Sequence, residues 1–159
     1  MLRVAALALT VALAVAVAVA VACGGGGGGD DRATPTPGAD LTRTTEAGGI
    51  TVEGTWLVAE GLAEVDADLS AYPLDGFVLV EIAFTTHSGD LSKVDMEQAA
   101  TLSEGGADKR PEDWISLSDD SHHREGILVF ERAQADGPAE LTVALADSEV
   151  ALVWEVIPT

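Results

Sequence analysis

From Val4 to Ala22 the chain is almost entirely Ala, Val and Leu, and Cys23 and six glycines, Gly24 to Gly29, follow at once. An apolar run of about 20 residues is long enough to cross a bilayer or to form the hydrophobic part of an export signal. In neither role does it join a water-facing core, and the glycines that follow have no side chains with which to build one. Both roles put the rest of the chain outside the cytoplasm, and the fold must come from what lies beyond the junction.

Three elements occur in order before the junction. Arg3 supplies one positive charge, Val4 to Ala22 the apolar stretch, and the small residues Ala20 and Ala22 the approach to Cys23. This arrangement resembles a bacterial lipoprotein signal peptide. The resemblance implies that residues 1–22 are removed and that Cys23 carries the lipid, anchoring the protein to the extracytoplasmic face of the cell membrane. An uncleaved membrane anchor is the alternative reading, although no basic stop-transfer cluster follows the run. Cys23 is the sole cysteine, so no intrachain disulfide staples the domain.

All 27 acidic residues lie beyond Cys23, against seven of the eight basic ones, a formal charge near −20 for that part. Such an excess repels nucleic acid and anionic headgroups and excludes both as partners. A solvated acidic surface explains it, and so does a cationic partner.

From Gly24 to Gly49 the residues are mostly Gly, Asp, Thr, Pro and Ala, a composition that buries too little apolar surface to offset ordering entropy. Residues 23–49 are therefore expected to be the acylated cysteine and a flexible linker. As a coil, about 25 residues reach about 25 to 30 Å. Ala33-Thr34-Pro35-Thr36-Pro37 within it favours polyproline II.

Residues 50–159 suffice for one domain with a genuine core. Ile50 to Val58 alternates loosely at period two, and Phe77 to Thr85 is a β-branched and aromatic run between Asp75-Gly76 and Ser88-Gly89-Asp90. Val94 to Leu102 carries Val94, Met96, Ala100 and Leu102 at period two and is expected as a strand, despite the helix formers of Met96 to Ala100. Gly126 to Glu131, Ala139 to Leu145 and Val150 to Ile157 read as further strands, separated by turns at Asp136-Gly137-Pro138 and Ala146-Asp147-Ser148. Six or seven short strands without a long helix predict an all-β, antiparallel β-sandwich of immunoglobulin-like arrangement. Trp56, Trp154, Phe84 and Phe130 are its core candidates.

Between Gly76 and Ile157 the order is a strand, the polar turn Thr86-His87-Ser88-Gly89-Asp90, a second strand, then Glu125-Gly126-Ile127-Leu128-Val129-Phe130-Glu131 before Ala139 to Leu145. This order resembles the DUF4352-type immunoglobulin-like domains of bacterial surface lipoproteins. The resemblance implies a sandwich with a binding or envelope role, and it brings no catalytic residues.

Within the domain, Asp119-Asp120-Ser121-His122-His123-Arg124-Glu125-Gly126 sets two of the three histidines beside carboxylates. His122 and His123, joined by His87 or Met96, are candidate copper or zinc ligands. Adjacent residues on a strand point to opposite faces, which favours instead a polar loop whose histidines cap backbone groups or pair with Asp119 and Asp120. Glu64, Asp66, Asp68 and Asp75 offer oxygens for calcium, but Ala71 and Phe77 occupy the positions where an EF-hand loop needs glycine and glutamate, so a solvated acidic loop is the favoured reading.

The chain has no G-x-S-x-G elbow, phosphate-binding loop or H-E-x-x-H pair, and no cofactor motif. The expected function is thus a non-catalytic, lipid-anchored binding or envelope-interaction module. Its partners are the membrane, through Cys23, and an envelope protein, glycan or cation. A metal-handling lipoprotein using the His122/His123 region is the alternative.

Overall fold

The computed structural model describes residues 41–133, 137–145 and 147–155. The signal-peptide and lipidation readings at Met1 to Cys23, and most of the expected linker, lie outside them. Nine strands are present among the described residues: β1 (Thr42–Ala47), β2 (Ile50–Trp56), β3 (Phe77–Thr86), β4 (Ala100–Glu104), β5 (Ala107–Lys109), β6 (Asp113–Asp119), β7 (His123–Glu131), β8 (Ala139–Leu145) and β9 (Ser148–Trp154). They form two antiparallel sheets, ordered β1-β2-β3-β7-β6 and β5-β4-β8-β9. The expected all-β architecture of two sheets is observed.

Alternation along each strand decides what the sheets enclose. Val78, Val80, Ile82 and Phe84 of β3 and Leu128 and Phe130 of β7 meet Leu102, Leu141, Val143, Leu152 and Trp154 of the second sheet in the main core. All four aromatic candidates are buried there, and Trp56 meets Trp154 edge to face at 5.5 Å between ring centroids. In the register row of Trp154, reached through Ala139, buried Glu104 accepts the Ala133 N–H at 2.6 Å and lies 3.8 Å from Lys109 Nζ. Lys109 in turn donates to the Glu131 carbonyl at 2.6 Å, so β4 and β5 are tied across to the end of β7.

The first sheet is covered on its outer face as well. Leu79 of β3 and Ile127 and Val129 of β7 pack there with Leu57 and with Leu62, Val65, Leu69, Tyr72 and Leu74 of the long β2–β3 connection. The connection carries one 3₁₀ turn, Gly61–Glu64, and the Tyr72 hydroxyl donates to the Asp113 carboxylate of β6. Burial on both faces accounts for the unbroken apolar run in β7, where residues 126–130 are all buried.

Two expectations are corrected. The linker does not extend to Gly49, because β1 pairs with β2 in register from Thr42↔Thr55 to Ala47↔Ile50. Gly48 and Gly49, at φ 61° and 76°, supply the left-handed two-residue turn that such a hairpin requires. The strand expected over Val94 to Leu102 is instead the single helical turn α1 (Met96–Ala99), followed by β4. The Asp95 carboxylate accepts the Gln98 N–H at 3.3 Å and caps that turn, while Met96 is buried beneath it. The last strand spans Ser148–Trp154, and Val156 and Ile157 of the strand expected over Val150 to Ile157 lie outside the described residues. Asp136 and Ala146, part of the two expected turns, lie outside the described residues.

A close approach on the inner face fixes the β6–β7 pairing. A Cβ on Gly126 would lie 2.5 Å from the Ile115 carbonyl oxygen and 2.5 Å from carbons of the Trp114 ring. Neither neighbour is a flexible chain end. Gly126→Ala is expected to cost about 2 to 3 kcal/mol of folding free energy, read as a lower denaturant midpoint at unchanged slope. Unchanged stability would show that Trp114 does not cover this glycine.

Candidate functional site

The segment Asp119 to Gly126 forms the β6–β7 hairpin. Asp120 organises it, its carboxylate accepting the His122 N–H at 2.8 Å and its own N–H donating to the His123 carbonyl at 3.2 Å. The bond from the His122 N–H holds the Asp120 carboxyl below the usual carboxylate range. The two imidazoles are exposed and make different contacts. His122 Nδ1 lies 3.1 Å from Ser121 Oγ, while His123 Nδ1 lies 3.2 Å from Thr85 Oγ1 and its Nε2 3.6 Å from Glu125 Oε2.

His87 is also exposed, one residue beyond Thr86, whose N–H donates to the His122 carbonyl at 2.9 Å. The three histidines therefore share one end of the first sheet. Met96 is buried in the core. Among the described residues, no group of three His, Cys, Asp or Glu side chains is placed to hold a metal ion. In the acidic connection, Asp68 instead accepts the Ser70 N–H at 3.0 Å, a local turn whose Ser70 bonds lower its carboxyl below the usual range.

Arg124, between the histidines and the apolar part of β7, points the other way and is 7% exposed. It donates through Nη1 to the Leu91 carbonyl at 3.1 Å and to the Val94 carbonyl, and its Nε lies 2.9 Å from Asp119 Oδ1. The guanidinium also sits 5.3 Å from the centre of the Trp114 ring. It thereby holds the turn leading to α1 against the sheet, a structural role.

The polar part of the outer face gathers carboxylates. Register places Glu53 and Glu125 on either side of Ala83, with Glu81 in the neighbouring row between Thr55 and Ile127. Burial, followed by the charge of Glu125, a hydrogen bond to Glu125 and the charge of Glu53, pushes the Glu81 carboxyl above its usual value of 4.5.

A cleft opens where β2 runs into its long connection. It encloses about 440 Å³ and is lined by Leu41, Thr55, Trp56, Leu57, Val58, Glu60, Gly61 and Glu64. Its size falls within the usual range for small-molecule sites. A second cleft of about 400 Å³ shares Leu57, Val58 and Glu60 and extends to Leu74, Asp75 and Arg132. The Leu41 carbonyl fixes one wall, accepting the Trp56 N–H at 3.0 Å and the Trp154 indole N–H at 2.7 Å. The Thr55 hydroxyl is hydrogen-bonded to that of Thr42 at 3.0 Å. Apolar walls and a few polar groups suit this cleft to binding. Sequence reasoning found Trp56 only as a core residue and Glu64 only as a calcium ligand. No local pattern announces that the connection folds back to leave a cleft.

The Glu81 shift has a testable sign. A carboxyl whose folded-state value is raised binds its proton more readily in the folded chain, so its contribution to stability rises as pH falls through the window above 4.5. Glu81→Gln is expected to stabilise the domain near neutral pH, with the gain over wild type shrinking toward acid, as thermal melts across that window would record. A difference independent of pH would show that the Glu81 carboxyl is not raised. No protein-family model matches the chain, and neither a curated protein nor a solved structure is similar to it, so its site is characterised by its own residues.

Proposed function

We propose that the chain is a lipid-anchored, extracytoplasmic binding module without catalytic activity, built on an immunoglobulin-like sandwich, with the Leu41 to Glu64 cleft as its binding site. The cleft at the start of the described domain carries this reading. Its walls are apolar, the Thr55 hydroxyl is engaged by Thr42, and both carboxylates are on exposed residues. Such a set holds a ligand rather than activating a nucleophile.

The Cys23 junction supports the anchor. With β1 beginning at Thr42 and the described chain at Leu41, residues 24–40 separate the lipid from the domain. These 17 residues span at most about 60 Å, so the module works close to its membrane. A charge near −20 favours cationic over anionic partners there. Among the described residues, no helix is long and apolar enough to cross a membrane.

Metabolic labelling with a palmitate analogue tests the anchor. The wild-type chain is expected to be tagged and Cys23→Ser to lose the tag and leave the membrane fraction. Equal labelling of the two, or none of either, would overturn the lipid anchor.

A further inference from the structure

Between Leu41 and Glu155 the chain carries 24 acidic residues and six basic ones, a formal charge of −18. With carboxylates so plentiful, each cation is expected to seek one. The fold uses them differently, because five of the six donate to main-chain carbonyls. Arg43 reaches from β1 to the Val153 carbonyl of β9 at 2.8 Å, and Arg110 donates to the Gln98 and Ala100 carbonyls at the end of α1. Lys109 takes the Glu131 carbonyl, Arg124 those of Leu91 and Val94, and Arg132 those of Leu74 and Phe77. Each bond ties two separate segments together, so the positive charges act as clamps.

Little of the negative charge is answered within the chain. Among the described residues, Lys and Arg form ion pairs with Asp90, Glu104 and Asp119, at 2.9, 3.8 and 2.9 Å. Glu104 and Arg124 are buried, so the Lys93–Asp90 pair is the attraction most open to screening by salt. The repulsions are exposed. Glu53 and Glu125 flank Ala83 in one register row, and Glu46, Glu140 and Glu149 stand on exposed strand positions, none of them in an ion pair with Lys or Arg among the described residues. Hydrogen bonds from Ser70 and from the His122 N–H keep the Asp68 and Asp120 carboxyls below the usual range, so their charges persist into acid.

We infer that the stability of this domain is set by ionic strength: a diffuse atmosphere of solution cations supplies the neutralisation that its basic residues, committed to carbonyls, do not. The folded chain holds its charges closer together than the unfolded one, and screening therefore favours the fold. Salt removes few attractions in exchange. At 0.01 M ionic strength charges interact over about 30 Å and at 0.1 M over about 10 Å, so the response falls at modest salt. The inference depends neither on the proposed binding role nor on the lipid anchor.

Urea carries no charge and leaves ionic strength free to vary. The urea midpoint of the full chain, followed by tryptophan fluorescence, is expected to rise by at least about 1 M between about 0.01 and 0.5 M NaCl. Most of the gain should come below about 0.2 M, whereas a general strengthening of burial by salt grows in proportion to its concentration. KCl and choline chloride should match NaCl at equal ionic strength. Combining Glu46→Gln, Glu53→Gln, Glu140→Gln and Glu149→Gln should raise the midpoint at low salt and reduce the salt-induced rise, with variant and wild type converging at high salt.

A wild-type midpoint that stays level or falls with salt would overturn the inference. So would a gain with sodium that choline does not reproduce, since that marks a bound ion instead of a diffuse atmosphere. An undiminished salt-induced rise in the fourfold variant would remove the exposed carboxylates as its source. The wild-type series decides the matter even if the variant fails to fold.

Discussion

The β3–β7 pair carries apolar side chains on both faces, and a sandwich of two sheets covers only one of them. The second sheet takes Val80, Ile82, Phe84, Leu128 and Phe130, while Leu79, Ile127 and Val129 need another cover. The β2–β3 connection supplies it with Leu62, Val65, Leu69, Tyr72 and Leu74 and is anchored to β6 by the Tyr72–Asp113 hydrogen bond. Its path follows from that demand. The cleft beside Trp56 opens where the connection leaves β2. Only the part of the outer face beyond its reach is polar, with Glu53, Glu81, Glu125 and His123.

What was legible in the sequence was what alternation alone determines. The strands at Phe77 and Ala139 and the burial of Trp56, Trp154, Phe84 and Phe130 followed from period and composition. β1 escaped because Thr42–Ala47 has no large apolar residue, and its place as an edge strand comes from pairing with β2. Gly48-Gly49 was the available signal, but composition merged it with the glycine-rich stretch before it. β6 escaped for a different reason. Ile115 and Leu117 share the outer cluster at period two, but Ser and Asp fill the rest of the strand apart from Trp114, and its register shifts between Ser116 and Ser118. At Met96, two local rules disagreed, and the Asp95 cap with a buried methionine decided for the helical turn.

The histidine pair shows how a conspicuous motif differs from an organised one. Period two separates neighbouring side chains, and here it turns Arg124 inward while His123 meets Thr85 and Glu125 on the outer face. The inward residue makes the tertiary contacts, bridging the Leu91 and Val94 carbonyls, Asp119 and Trp114. Its importance is invisible locally because Leu91 and Val94 come from a segment outside the β6–β7 hairpin, whose approach depends on the complete fold. The histidines, prominent in sequence, engage adjacent or surface groups.

Leu41 joins the two themes of the structure. It lines the cleft, and its carbonyl accepts from both the backbone of Trp56 and the indole of Trp154. Trp154 belongs to the second sheet and Trp56 to the first, so one carbonyl links both layers at the cleft wall. Moving that carbonyl would leave the Trp154 indole a buried donor without its acceptor, and the penalty for that opposes motion. The cleft wall is therefore held by contacts between Leu41 and the two tryptophans. A wall held in this way leaves the opening pre-organised, and pre-organisation reduces the ordering cost that a small ligand would otherwise meet.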